Sequence, residues 1–307
     1  MKTRLRVLGR FAMALICVML VSSKFLADQR EQRSDARTYL GFDANDYPGD
    51  ASLPQFKRTF AFAGYWLNNP PGSAPSGIRK ALSGQPGGAM NHGAETNAWL
   101  GHRAAIARQG FGFLVLFNGQ LERQLKSTAN ARSLGSSDAR AATTAAEHEG
   151  FSRGTVIFVD QEEGGTMNEA QMAYLLAWFD GVAAARFRPG IYCSGIPANE
   201  GHGEFTITAN HVREHVGQRE ITYFVYNDVC PPSPGCAVQN DPPDPAASGV
   251  PFATVWQFAQ SPRRREFTRR CAATYNADSN CYPPGMGPGS HFIDVESATS
   301  PDPSHGR

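Results

Sequence analysis

The sequence predicts a single α/β domain, a (β/α)8 barrel of the TIM type, and three observations predict it. Short apolar runs recur along the 307-residue chain, mostly separated by stretches of helical periodicity. One of them, GTVIFV at Gly154–Val159, is apolar almost throughout, as expected of a strand buried on both faces of a parallel sheet. It ends abruptly in Asp160, Glu162 and Glu163, and a helical pattern follows. Strand, acidic tip and helix in that order are how such a barrel presents side chains at the C-terminal ends of its strands.

The elements follow in order. TYLGFD forms the first strand and ends at Asp43, and FAFAGYWL (Phe60–Leu67) forms the second. A long Gly/Pro-rich loop then runs to about Glu95, and Thr96–Gln109 reads as a helix with Trp99, Leu100 and Ile106 on its apolar side. GFLVLF (Gly112–Phe117) is the third strand, and Ser137–Glu149 an Ala-rich helix leading into the fourth. Asp160 and Glu162 are two apart, so on an extended chain they point the same way, with Cα atoms roughly 6.5 Å apart. Thr166-Met167-Asn168-Glu169 matches a capping box, and the helix after it runs from Asn168 to Arg186. RPGIYCSG is the fifth strand, Thr208–Gln218 a helix, ITYFVYND the sixth strand, ATVWQFAQ the seventh and HFIDVE the eighth. Helices after strands six and seven are weak or absent, so the barrel is expected to be irregular there. The long loops after strands two, six and seven all rise from one rim, as a substrate cleft requires.

Composition narrows the class. Hydrophobic residues make up 41% of the chain, enough for a real core, and a net charge of +1 points away from nucleic acid as a partner. At the N-terminus, Lys2, Arg4, Arg6 and Arg10 precede the apolar segment Phe11–Val21 and then Ser22 and Ser23. That is the layout of a secretory signal, too short for an ordinary membrane span, either cleaved after Ser23 or kept as an N-terminal anchor. The domains expected are therefore 1–23 signal or anchor, 24–37 spacer, 38–298 barrel and 299–307 disordered tail, in an exported, monomeric protein. Cys230/Cys236 and Cys271/Cys281 are close pairs in Pro- and Gly-rich loops, suited to disulfides in an oxidising compartment. Cys193 lies in an apolar run and is expected to be a buried free thiol. No cluster has zinc-ligand spacing, so neither a metal nor a cofactor is expected.

Five short motifs then form a pattern. GFD at Gly41–Asp43, VDQE at Val159–Glu162, PGIY at Pro189–Tyr192, VWQF at Val255–Phe258 and FIDVE at Phe292–Glu296 occur in that order. The order resembles family 25 glycoside hydrolases, secreted lysozyme-like muramidases, and more closely the Rv2525c-like, glycoside-hydrolase-like domain. The resemblance covers about residues 38–297. It implies the same barrel in an exported protein that meets cell-wall peptidoglycan or another β-linked polysaccharide. Position by position it implies functional acids at Asp43, Asp160, Glu162 and Asp294. Two departures stand out: the first motif reads GFDAND, and the centre of D-x-E is Gln161 rather than an apolar residue.

Cleaving a glycosidic bond needs a protonated acid at the leaving oxygen and a second group at the oxocarbenium-like centre. Acids crowded on one rim raise the proton affinity of at least one of them. Glu162, with the longer reach, is expected to be the general acid, supported by Asp160, with Asp43 and Asp294 on the base side or binding sugar hydroxyls. Whether the route is retaining or substrate-assisted stays open. Trp66, Tyr192, Tyr226 and Trp256 are candidates for stacking on sugar rings or for core packing. Asp228 either joins the rim or caps a turn, and Gln257 either bonds substrate or closes the barrel. His92 and the Arg263–Arg265, Arg269, Arg270 group read as solvated loop residues. A glycoside hydrolase and a non-catalytic carbohydrate-binding barrel both fit these residues.

Overall fold

The computed structural model describes residues 37–71, 97–227, 242–260 and 293–307. The signal segment, Asp228, His92 and the Arg263–Arg270 group lie outside the described residues. So do Cys230, Cys236, Cys271 and Cys281, and with them the two expected disulfides; among the described residues Cys193 is a free cysteine. Strands β1 (Tyr39–Asp43), β2 (Phe62–Trp66), β3 (Gly112–Asn118), β4 (Val156–Asp160) and β5 (Arg188–Ser194) form five neighbours of one sheet. It continues through β8 (Thr222–Tyr226), β9 (Val255–Gln260) and β10 (Asp294–Ala298), which closes on β1. The result is the closed eight-stranded barrel that the sequence predicts, and its helices flank it. A hairpin of β6 (Ala198–Gly201) and β7 (Glu204–Thr206) stands apart from the barrel. Its polar sequence gives no apolar run by which to find it.

One strand runs the other way. The strands from β1 through β9 pair in parallel around the barrel, but β10 is antiparallel to both β9 and β1. A regular barrel of the TIM type has all eight strands parallel, and this one departs from it at β10. Because β10 is reversed, its first residue, not its last, lies on the rim where the other strands end: Asp294 pairs with Asp43 and with Gln260.

The helices are α1 (Leu53–Lys57), α2 (Arg103–Arg108), α3 (Thr128–His148), α4 (Glu169–Ala184) and α5 (Thr208–His215). α2 starts later than the apolar periodicity suggests. Asn97 accepts a bond from the Trp99 amide at 3.1 Å, and Gly101 takes a φ of 82°, so residues 97–102 form a turn. α3 packs on α4 at Gly135 and Ala139, within a buried stripe that also holds Ala131, Ala142 and Ala146. A Cβ at Gly135 would lie 2.2 Å from the Tyr174 carbonyl oxygen, which explains a helix so poor in large apolar residues. The cap of α4 falls two residues beyond the expected one. Asn168 Oδ1 accepts from the amides of Ala170 and Gln171, and the Gln171 side chain accepts from the Asn168 amide.

The C-terminal residues are not frayed, contrary to expectation. β3 and β4 are in register only from Val115 and Ile157 onward, so their first residues diverge. The tail enters that gap. Ser304 donates its amide to Phe113 O, accepts from Val156 N at its carbonyl and accepts from Val115 N at Oγ, each at 2.8 Å. Asp302 Oδ1 accepts from Phe113 N, also at 2.8 Å, and Arg307 reaches the carbonyls of Gly110 and Phe111. Backbone groups that the sheet leaves unpaired are thereby satisfied, by main-chain groups of the tail and by the side chains of Asp302, Ser304 and Arg307.

Ser304→Ala removes the partner of the buried Val115 amide and is expected to lower stability by about 1–3 kcal/mol. Ending the chain at Pro301 removes all of these bonds and is expected to cost more. Urea midpoints of the two variants check this, and unchanged midpoints would return the tail to a passive role.

Candidate active site

Strand alternation decides which side chains enter the barrel. On β1, Phe42 packs outward against Phe56, Phe60 and Phe111 with ring centroids 4.5–6.1 Å apart, so Asp43 turns inward. Room for it comes from Gly64 on β2, where a Cβ would lie 2.4 Å from Asp43 Cβ. Gly190 on β5 makes the same allowance for Phe158 on β4, at 2.5 Å. Above Phe158, Asp160 ends β4 facing inward.

At the rim these residues line one small cleft of about 50 Å³. Asp43, Asp160, Glu162 and Asp294 all line it, together with Trp66, Tyr192 and Gln257. Seven residues expected from the sequence are thus brought together. Asn45, Pro71, Leu116 and Phe224 complete the lining and were not among those expected. Gly64 was also missed, although a glycine inside an otherwise apolar strand is a known mark of close approach.

Other expected residues go elsewhere. Trp256 faces away from Gln257, buried in the core, with Nε1 donating to Asn227 O at 2.8 Å and its ring edge-on to Phe258. Tyr226 is half-buried at the end of β8 and does not line the cleft. Cys193 is a buried free thiol, and burial pushes its proton affinity up.

The D-x-E segment is held by its surroundings. Gln161 N donates to Tyr192 O at 2.9 Å, and Gly119 N donates to Asp160 O at 3.1 Å. The Gln161 side chain turns the other way and donates to Glu163 Oε2 at 3.1 Å. The same Glu163 oxygen accepts from Glu122 N and Gln171 Nε2. This accounts for a polar centre in the motif: Gln161 anchors the structural acid of the three, and Asp160 and Glu162 are left to the cleft.

The two cleft acids of this segment differ in setting. Asp160 is 5% exposed and its Oδ1 has no hydrogen-bond partner, whereas Glu162 is exposed at the mouth. Burial, then the charges of Glu162 and Asp43, hold the Asp160 carboxyl well above the usual carboxylate range. Tyr192 donates its hydroxyl to Gln257 Oε1. Burial and the charges of Asp160, Asp294, Asp43 and Glu162 keep that phenol protonated. No Lys, Arg or His is among the buried polar residues described. Among the described residues no group of three or more His, Cys, Asp or Glu is disposed to hold a metal ion.

This packing makes two variants informative. Gly64→Ala is expected to displace Asp43 and to cost roughly 1–3 kcal/mol by overpacking, readable as a lowered urea midpoint. For Asp160, a raised folded-state proton affinity contributes stability below the unfolded value, and that contribution is lost as pH rises through the folded one. Asp160→Asn removes the loss, so its Tm is expected to exceed that of wild type at pH 8 and to approach it near pH 4. A lower Tm for the variant at pH 8 would contradict the stated environment.

Comparison with known proteins agrees with the motif pattern. Residues 84–216 match the family model described as the Rv2525c-like, glycoside hydrolase-like domain. No curated protein matches the chain. Among solved structures, an uncharacterized protein of B. stearothermophilus aligns with a TM-score of 0.50 and 18% identity, over 85% of this chain and 95% of its own. The Tat-secreted protein Rv2525c of Mycobacterium tuberculosis, solved with L-tartrate, aligns at 0.45 and 12%, over 86% and 96%. The Clostridium perfringens spore cortex lytic enzyme SleM aligns at 0.45 and 13%, over 86% and 68%. At these identities the likeness is one of fold.

Proposed function

We propose that the protein is an exported glycoside hydrolase that acts on cell-wall peptidoglycan or another β-linked polysaccharide. The observation that carries this reading is the convergence of carboxyl groups from three places in the chain. Asp43 from β1, Asp160 and Glu162 from the end of β4, and Asp294 from β10 line one cleft. The export part rests on the basic, apolar and small-residue layout of Met1–Ser23. Among the described residues no helix is long and apolar enough to cross a membrane.

The chemistry divides by depth. Glu162 stands exposed at the mouth, where a glycosidic oxygen can reach it, and in this reading it delivers the proton to the leaving group. Asp160 lies beneath, with its proton affinity raised by burial and by Glu162 itself, and in this reading it orients Glu162. Asp43 and Asp294 sit across the cleft, on paired positions of β1 and β10, where they can orient a nucleophile or sugar hydroxyls. Trp66 and Tyr192 line the same cleft.

A second reading has an observation of its own. The cleft measures about 50 Å³, far below the roughly 300–1,000 Å³ of ordinary ligand pockets. A cleft that small fits a degenerate active site, in a barrel that binds carbohydrate without cleaving it.

Release of reducing ends from peptidoglycan and a panel of β-glycans separates the two. The hydrolase reading expects release by wild type and a fall of about 10²–10⁴-fold in Glu162→Gln, the contribution usual for a positioned general acid. No release from wild type, with retention on the same polymers in a pull-down, selects the binding barrel.

A further inference from the structure

The site as described leaves one buried acid unused. Glu296 lies two residues beyond Asp294 on β10, on the same face of the strand. Since β10 runs antiparallel to its neighbours, those two residues carry Glu296 down from the rim into the barrel. There it is flanked by Gly41 on β1 and Gln257 on β9. Gly41 has no side chain to offer, and a Cβ there would lie 2.0 Å from the Phe62 ring, so the aromatic ring closes that side. Glu296 is 0% exposed.

Its carboxyl has no ordinary partner. Neither Oε atom receives a hydrogen bond from any donor among the described residues. The group in contact with it is another carboxyl, that of Asp43. The titratable groups that act on the cluster are Asp43 on β1, Asp160 at the end of β4, Glu162 beyond it, Tyr192 on β5 and Asp294 on β10. Gln257 on β9 does not titrate, and no buried cation is present among the described residues. A fully buried carboxyl with no donor to either oxygen, set against a second carboxyl, is satisfied when it carries a hydrogen itself. Asp43 is the nearer to the cleft, so the hydrogen belongs on Glu296.

We propose that Glu296 is a positioning residue, a neutral carboxylic acid on the floor of the cleft whose O–H donates to Asp43 and fixes that carboxylate in place beneath the substrate. Burial, followed by the charges of Asp43 and Asp294, acts in the same direction on Glu296 and outweighs the opposing Asp43 main chain, leaving it well above the ordinary carboxylate range. The pair then carries one negative charge rather than two, and Asp43 keeps the ionised, oriented form that a base or hydroxyl-binding role requires. The consequence for turnover rests on the hydrolase reading above; the hydrogen between the two carboxyls does not.

The test uses the full chain and three variants. Infrared spectra in D₂O at pH 7 are expected to show protonated-carboxyl C=O absorption in wild type and in Asp160→Asn. In Glu296→Gln that absorption is expected to fall by one carboxyl's intensity. Identical spectra for wild type and Glu296→Gln overturn the proposal. Thermal stability gives a second readout that needs no substrate. The folded chain binds the Glu296 proton more tightly than the unfolded chain, so stability falls as pH rises above the ordinary glutamate value. Glu296→Gln, which keeps a donor toward Asp43 and cannot ionise, is expected to have a higher Tm than wild type at pH 8 and an equal one near pH 4. A lower Tm at pH 8 overturns the proposal.

If wild type cleaves a glycan, Glu296→Leu is expected to lose at least tenfold in kcat at unchanged KM, and Glu296→Gln to recover most of that loss. Equal losses in Leu and Gln variants overturn the positioning role. If wild type cleaves nothing, the hydrolase reading fails, and the spectra and Tm values still decide whether the two carboxyls share a hydrogen.

Discussion

A carboxyl group placed inside a closed barrel must find a donor, a counter-charge or a proton. Here the described interior supplies no cation, and the two deepest acids, Asp160 and Glu296, have oxygens without a hydrogen-bond donor. That shortage organises the upper half of the barrel. Tyr192 donates its hydroxyl to Gln257 rather than to an acid. Protonation is what remains, and both buried carboxyls are driven toward it by burial first and by neighbouring charge second. The acids therefore differ in kind although they belong to one cluster. Those at depth are pushed toward the neutral form, and Glu162 at the mouth meets solvent.

The reversed last strand makes the cluster possible. An eighth parallel strand would bring its C-terminal end to the rim, and HFIDVE would then place Glu296 above Asp294. With β10 antiparallel, the order inverts: Asp294 pairs with Asp43 at the rim, and Glu296 pairs with Gly41 below. Space is found by omission of side chains. Gly64 admits Asp43, and Gly41 leaves the Phe62 ring its place. The backbone thus sets both the height of each acid and the side chains it can touch, before any electrostatic effect is counted.

What the sequence showed of this depended on the range of the interactions involved. Asp43, Asp160, Glu162 and Asp294 each end or begin an apolar run, and run-and-tip is a local signal. Trp66, Tyr192 and Gln257 were legible in the same way. Trp256 was not separable from Gln257 by composition; only strand alternation in the folded barrel sends one outward and the other inward. The direction of β10 is invisible locally, because a short apolar strand reads the same in either sense. The tail was misread for a related reason. Ser304 and Asp302 look like surface residues until β3 and β4 are seen to part beneath them. The cap of α4 moved from Thr166 to Asn168 because Asn168 and Gln171 satisfy each other at the right spacing, and Thr166 is engaged with the β6–β7 hairpin through Glu200 and Thr206.

Stability and site chemistry pull against each other at these positions. A barrel needing only to fold would be better served by an apolar or amide side chain at Glu296, where an acid must be desolvated beside Asp43 and Asp294. The same holds at Asp160, whose Oδ1 is buried with no partner. Strain and unsatisfied polar groups of this kind are characteristic of sites built for chemistry or recognition. Glu163, by contrast, is the acid of the same motif that accepts bonds from Glu122, Gln161 and Gln171 and is fully accounted for by holding the loop. Within one short stretch the chain distinguishes an acid used for structure from acids held at a cost. It is the second kind that marks the cleft.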